Sequence, residues 1–133
     1  MTKHFKIKGI LIDSKKMTVE EVELENSLQG IYEKLGCDCV TTVPYPFNEN
    51  HEIIVDDESL MKDLQNFFTF DKMNIEASVC GNGLIVSWDE SGNWINHSLD
   101  VEEVQKEVSF LTYFGSSAGI VAVILPPKSM KNS

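Results

Sequence analysis

The sequence predicts an α+β fold. The expected architecture is a single domain on a mostly antiparallel or mixed sheet of about six to eight strands, with two or three short helices packed on one side. Three observations predict it. Short β-branched or alternating segments recur between turn residues, at Phe5–Ile12, Val19–Leu24, Cys37–Val43, His51–Asp56 and Leu84–Asp89. Two stretches, from Leu28 and from Val101, carry helical periodicity instead. A tight-turn signal, Glu90-Ser-Gly-Asn93, joins Leu84–Asp89 to a return strand at Trp94–His97.

In chain order, Phe5–Ile12 alternates and then becomes apolar, as a strand entering a core does. Asp13–Thr18 is polar turn material, and Val19–Leu24 returns with one wet face, so the two form a hairpin. Asn26 or Ser27 can cap a helix whose apolar face is Leu28, Ile31, Tyr32 and Leu35, with Gly36 as its stop. Cys37–Val43 is a strand closed by Pro44 and Pro46, and Tyr45–Asn50 reads as a loop before the strand His51–Asp56. Asp57 or Ser59 can cap a turn or two through Leu64. Phe67–Phe70 is short and apolar, Glu76–Cys80 extended, and Gly81-Asn-Gly83 a turn. Asp100 and Glu103 have capping-box spacing, and Val101, Val104, Val108 and Leu111 give the second helix its buried side. Ile120–Leu125 is an apolar final strand, and Pro126-Pro127 ends it. Residues 1–125 are expected to form the domain and 126–133 a flexible tail.

At 133 residues the chain can bury a core without disulfides or metal. An odd count of 3 cysteines suits a reducing compartment, and the N-terminus has no signal-peptide core. No apolar run approaches the length of a membrane span. The expectation is a cytosolic protein without a membrane role. Charge is uneven. There are 21 carboxylates, and all 11 basic residues are lysine. Lys3, Lys6, Lys8, Lys15 and Lys16 fall in the first 18 residues beside one acid, Asp13. The net charge of −10 and the absence of arginine disfavour nucleic acid, whose phosphates need cationic neutralisation.

Several segments together carry a resemblance. They are Lys8-Gly-Ile-Leu-Ile-Asp13, Thr18-Val-Glu-Glu-Val-Glu23, Ser27-Leu with Ile31-Tyr32, Gly36-Cys-Asp38 and Ile53 to Glu58. Gly81-Asn-Gly-Leu-Ile-Val86, Asp89-Glu-Ser-Gly92 and the helix around Val101–Val108 continue it. From about Phe5 to Leu111 the chain resembles a family of small proteins of unknown function from phages, plasmids and other bacterial mobile elements. The resemblance implies a genomic setting and carries no catalytic residue. Tyr113–Leu125 lies outside the pattern, so an added strand is expected there.

Candidate sites each have a bland counterpart. Cys37 and Cys39, with Cys80 and His51, lack the paired spacing of structural zinc, and buried thiols explain them. His4, His51 and His97 are scattered, with none beside a cysteine in sequence. Asp56, Asp57 and Glu58 form the densest acidic cluster and, with Glu102 and Glu103, a candidate acidic partner surface. Gly81-Asn-Gly83 precedes a strand, unlike phosphate loops, which open a helix. Lys6, Lys8, Tyr32, Trp88 and Trp94 are the candidate ligand-binding set, with Trp88 and Trp94 as cross-strand partners. The blander reading of the front lysines is a charged sheet edge.

The expected function is that of a non-catalytic accessory protein that binds a host protein and interferes with host defence. It needs no metal or cofactor. The alternative is a protein that sequesters a small nucleotide-type signalling ligand. An enzyme would need paired groups at interpretable spacing, which the sequence lacks. Self-association through an open sheet edge is a further expectation, weakly opposed by the charge.

Overall fold

The computed structural model describes residues 5–46, 49–58, 66–70, 79–116 and 119–125. The elements are β1 (Lys6–Asp13), β2 (Thr18–Glu25), α1 (Leu28–Leu35), β3 (Val40–Pro44), β4 (His51–Asp56), β5 (Asn66–Phe70), β6 (Val79–Cys80), β7 (Gly83–Trp88), β8 (Trp94–Ile95), α2 (Val101–Glu107), β9 (Val108–Ser116) and β10 (Gly119–Leu125). This is the α+β fold the sequence predicts. The strands divide between two sheets, one ordered β2-β1-β7-β4-β3 with β8 also on β7, the other β10-β9-β5-β6. Every pairing is antiparallel.

Side chains alternate along a strand, so the large sheet presents two apolar faces. Ile10, Ile12, Val19, Ile53, Val55 and Ile85 point one way and meet Phe68, Phe70 and Phe110 of the small sheet, with Val104 of α2. Ile7, Leu24, Ile54, Leu84 and Val86 point the other way and meet Ile31 and Leu35 of α1. β7 serves both cores, and its residues from Gly83 to Ser87 are all buried. Gly83 makes the layers fit. A Cβ there would lie 2.7 Å from Cζ of Phe68 and 2.9 Å from Cγ2 of Ile53.

Local chemistry sets the ends. Asp13 Oδ1 accepts the amides of Lys15 at 3.1 Å and Lys16 at 3.0 Å, shaping the β1–β2 turn. Ser27 caps α1, its hydroxyl accepting the Gly30 amide at 3.0 Å. Gly36 ends the helix at φ +69°, a left-handed conformation that suits glycine. Asp100 caps α2 by accepting the Glu102 amide at 3.0 Å. In the β7–β8 turn, Asp89 Oδ1 accepts the amides of Ser91 and Asn93, each at 2.9 Å. These donors hold the Asp89 carboxyl below its usual range.

Some expectations change. Leu28 is exposed, not part of the buried face of α1. Gly30 lies against the Glu25 carbonyl, and the helix rolls so that Gly30, Ile31 and Leu35 face inward. The second helix stops at Glu107, and Val108 and Leu111 belong to β9. The β-branched and aromatic run Val108–Phe114 gains more from pairing with β5 than from another helical turn. Gly81 is a turn residue at φ +84°, whereas Gly83 opens β7. β10 pairs with β9 at the end of the small sheet. The expected turns of helix at 59–64, the extended start at 76–78 and the tail at 126–133 lie outside the described residues.

Filling the space over Gly83 should be costly. Gly83→Ala is expected to lower stability by about 1–3 kcal/mol, read as a lower denaturant midpoint with unchanged slope. An unchanged midpoint would contradict this packing of the two sheets.

Candidate functional site

Polar side chains gather at the end of the large sheet where β4 begins and β7 ends. The sequence places His51 in phase with Ile53 and Val55, so its ring turns inward, and it is 1% exposed. His51 Nε2 accepts the Ser98 amide at 3.2 Å. An amide can only donate, so this nitrogen carries no proton and the ring is neutral. Burial, and secondarily His97, pushes its pKa below the ordinary 6.5. The next amide, that of Leu99, donates to His97 Nδ1 at 3.1 Å, which places the His97 proton on Nε2. That nitrogen lies 2.7 Å from Glu21 Oε1 on β2. Two histidines far apart in sequence thus clamp consecutive amides of the segment that leads into α2.

Tyr45 closes the row. It is buried, its ring 6.2 Å from that of His51 and edge-on to Phe70 at 5.4 Å. Its hydroxyl donates to Glu107 Oε1 of α2 at 3.2 Å. Burial first, then the Glu107 charge, raises the phenol well above its usual range. This seam runs from Glu21 through His97, His51 and Tyr45 to Glu107. Hydrogen bonds already occupy these atoms, so the seam reads as the device that docks α2 and its approach segment on the sheet. Only the alternation around His51 signals it in the sequence. Tyr45 sits in a segment that reads as a loop.

Beside the seam opens a pocket of about 580 Å³, lined by Thr42, Val43, Pro44, Tyr45, Pro46, Glu49, His51, Glu52 and Trp88. Trp88 is the member of the expected ligand set found here. Trp94 is its cross-strand partner on β8 and packs toward the α1 core. Tyr32 lines a separate depression with Gln29, Glu33, Gly36, Cys37 and Asp38. Lys6 and Lys8 stand exposed on β1, across from Glu25 and Glu23 of β2. β1 is an inner strand, so these lysines do not guard a sheet edge. The edge is β2, and it is acidic.

Asp56, Asp57 and Glu58 end β4, where the Asp57 amide donates to the Cys39 carbonyl at 2.9 Å. Glu102 and Glu103 are exposed on α2, which packs on β2. The first group follows β4 and the second lies on the helix packed against β2, with β1 and β7 between those two strands. Partial desolvation, then Asp57, Glu58, Asp38 and Asp56, push the Cys39 thiol up, the reverse of what a nucleophilic thiolate needs. Among the described residues, no group of three or more His, Cys, Asp or Glu side chains is disposed to hold a metal. Ser14 engages the Gly81-Asn82 turn, its hydroxyl donating to the Gly81 carbonyl and its amide to Asn82 Oδ1 at 3.0 Å. The turn therefore fastens β1 to β7. No helix among the described residues is long and apolar enough to cross a membrane.

Fold and site together define a small α+β protein with a committed internal polar seam, an acidic exterior and, beside the seam, an aromatic, acid-lined pocket. It belongs to the DUF3846 family, a domain of unknown function, with a match over residues 7–109. The match ends early in β9, so most of that strand and all of β10 lie beyond it. No curated protein matches the chain. No solved structure matches it.

The seam has a pH signature. The native His51 ring binds a proton less readily than the unfolded one. Its contribution to stability is therefore complete above 6.5 and is lost as pH falls below that value toward the native pKa. Imidazole NMR should show His51 titrating below 6.5, with a parallel loss of stability in that window; titration at or above 6.5 would contradict the clamp. Separately, Tyr45→Phe should destabilise by about 0.5–1.5 kcal/mol in chemical denaturation, through loss of the hydrogen bond to Glu107.

Proposed function

We propose that this chain is a non-catalytic binding protein of a mobile element, engaging a basic host protein through its acidic exterior. The observation that supports this best is the edge strand β2. Glu20, Glu21, Glu23 and Glu25 are all exposed there, and α2 packs against the same strand with Glu102 and Glu103 in solvent. These six carboxylates outnumber the five lysines of the β1–β2 hairpin and α2, which are Lys6, Lys8, Lys15, Lys16 and Lys106. Such a field speeds encounter with a positive partner and disfavours anionic ones. The pocket agrees in sign, since its described lining has Glu49 and Glu52 and no lysine. That makes it a poor receptor for an anionic nucleotide, so the sequestering alternative gains no support from it.

The test compares capture from host lysate by the native chain and by a Glu20→Gln/Glu23→Gln/Glu25→Gln variant, at about 50 and about 300 mM salt. The expected outcome is a discrete set of basic proteins retained at low salt, released at high salt and lost in the variant. Retention that ignores both salt and the substitutions would overturn the proposal.

A further inference from the structure

The two edges of the large sheet are built differently. β2 carries four exposed glutamates, the usual guard against unwanted strand pairing. β3, at the other edge, reads Val40-Thr-Thr-Val-Pro44 and has no charge at all. Its backbone polarity is fixed by two hydrogen bonds to β4: the Tyr45 amide to the His51 carbonyl at 3.4 Å, and the Asp57 amide to the Cys39 carbonyl at 2.9 Å. Odd-numbered residues therefore face β4, and Val40 and Thr42 turn their N–H and C=O groups outward. No described residue hydrogen-bonds to those two outward amides. Pro44 stands last, where its missing N–H interrupts no ladder.

The edge runs into the pocket. Pro44 is opposite Glu52, and Glu52 is opposite Val86. Opposed residues share a face, and Trp88 is two residues beyond Val86 on the same face. Glu52 and Trp88 are thus diagonal neighbours, within reach of one another across the strands. Trp88 is half-buried, which leaves part of its indole open to the pocket. Glu49 is exposed at the same opening. His51, the one described lining residue able to become cationic, is held neutral by the Ser98 amide. An indole with two carboxylates, and no cation among the described lining residues, is a setting for an ammonium or guanidinium group.

We propose that the outer edge of β3 takes an extended, basic segment of a partner protein as an added strand, with one Lys or Arg side chain seated in the pocket between Trp88, Glu52 and Glu49. Added-strand recognition divides the work in this way: backbone bonds along an open edge give affinity, and a pocket for one side chain gives selectivity. The site is at the opposite edge from β2 and stands on its own observations.

The probe is a blocked heptapeptide of alternating lysine and valine, titrated into the ¹⁵N-labelled full chain. The control peptide has glutamine at each lysine position. The expected result is perturbation of the Trp88 indole N–H and of the Val40 and Thr42 amides, with those two amides gaining exchange protection. The control should leave them unmoved. Glu52→Gln should weaken binding about threefold to fivefold, in line with loss of one partly exposed charge pair. Glu49→Gln is exposed and gives the same readout without risk to folding. Perturbation confined to β2 and α2 would mean attraction by general acidity and would overturn the proposal. Equal binding of the glutamine peptide, or no response at all, would overturn it as well.

Discussion

The structure depends on one strand that has no solvent face. β7 lies between β1 and β4, pairs with β8 at its far end, and buries its residues from Gly83 to Ser87. Every side chain on it must therefore be apolar, small or hydrogen-bonded. Leu84 and Val86 feed the α1 core, and Ile85 feeds the core shared with the small sheet. Gly83 leaves the space into which Phe68 packs. Ser87 is the polar exception, and its hydroxyl donates to the Asn50 carbonyl at 3.0 Å. The strand emerges at Trp88, so the residue that lines the pocket is set in place by the most buried element of the molecule.

Around that strand the polar seam solves a second problem. α2 and its approach segment must be held to a sheet face that is otherwise apolar. Buried imidazole and phenol groups can do this only if each finds a partner, because an unsatisfied polar atom there costs about 1–3 kcal/mol. His51 and His97 take successive backbone amides, and Tyr45 takes Glu107. These contacts commit the two imidazoles and the phenol of the seam. The same commitment keeps His51 uncharged beside Glu49 and Glu52.

Much of the local structure was legible in the sequence. Ser27 and Gly36 delimit α1, Asp100 starts α2, and the turn after Asp89 forms as its residues require. Patterns that repeat every two or every 3.6 residues report local conformation. The division into two sheets was not legible, because antiparallel segments of similar composition do not state their partners. The end of α2 was misread because valines spaced for a helix also suit the strand that follows. The pairing of His51 with His97 depends on the chain returning through β8, and nothing in the spacing announces it. The pocket is hidden for the same reason: Glu52 and Trp88 meet only through the register of β4 on β7. The charge asymmetry also changes meaning, since Lys6 and Lys8 face glutamates across the β1–β2 ladder.

The dependence of both cores on β7 is most directly tested by native-state hydrogen exchange. The amides of Leu84, Ile85 and Val86 should be among the slowest in the chain and should open only with global unfolding, together with those of Ile10 and Ile53. Exchange of β7 ahead of the edge strands β2 and β3, or by a separate opening of lower free energy, would contradict it.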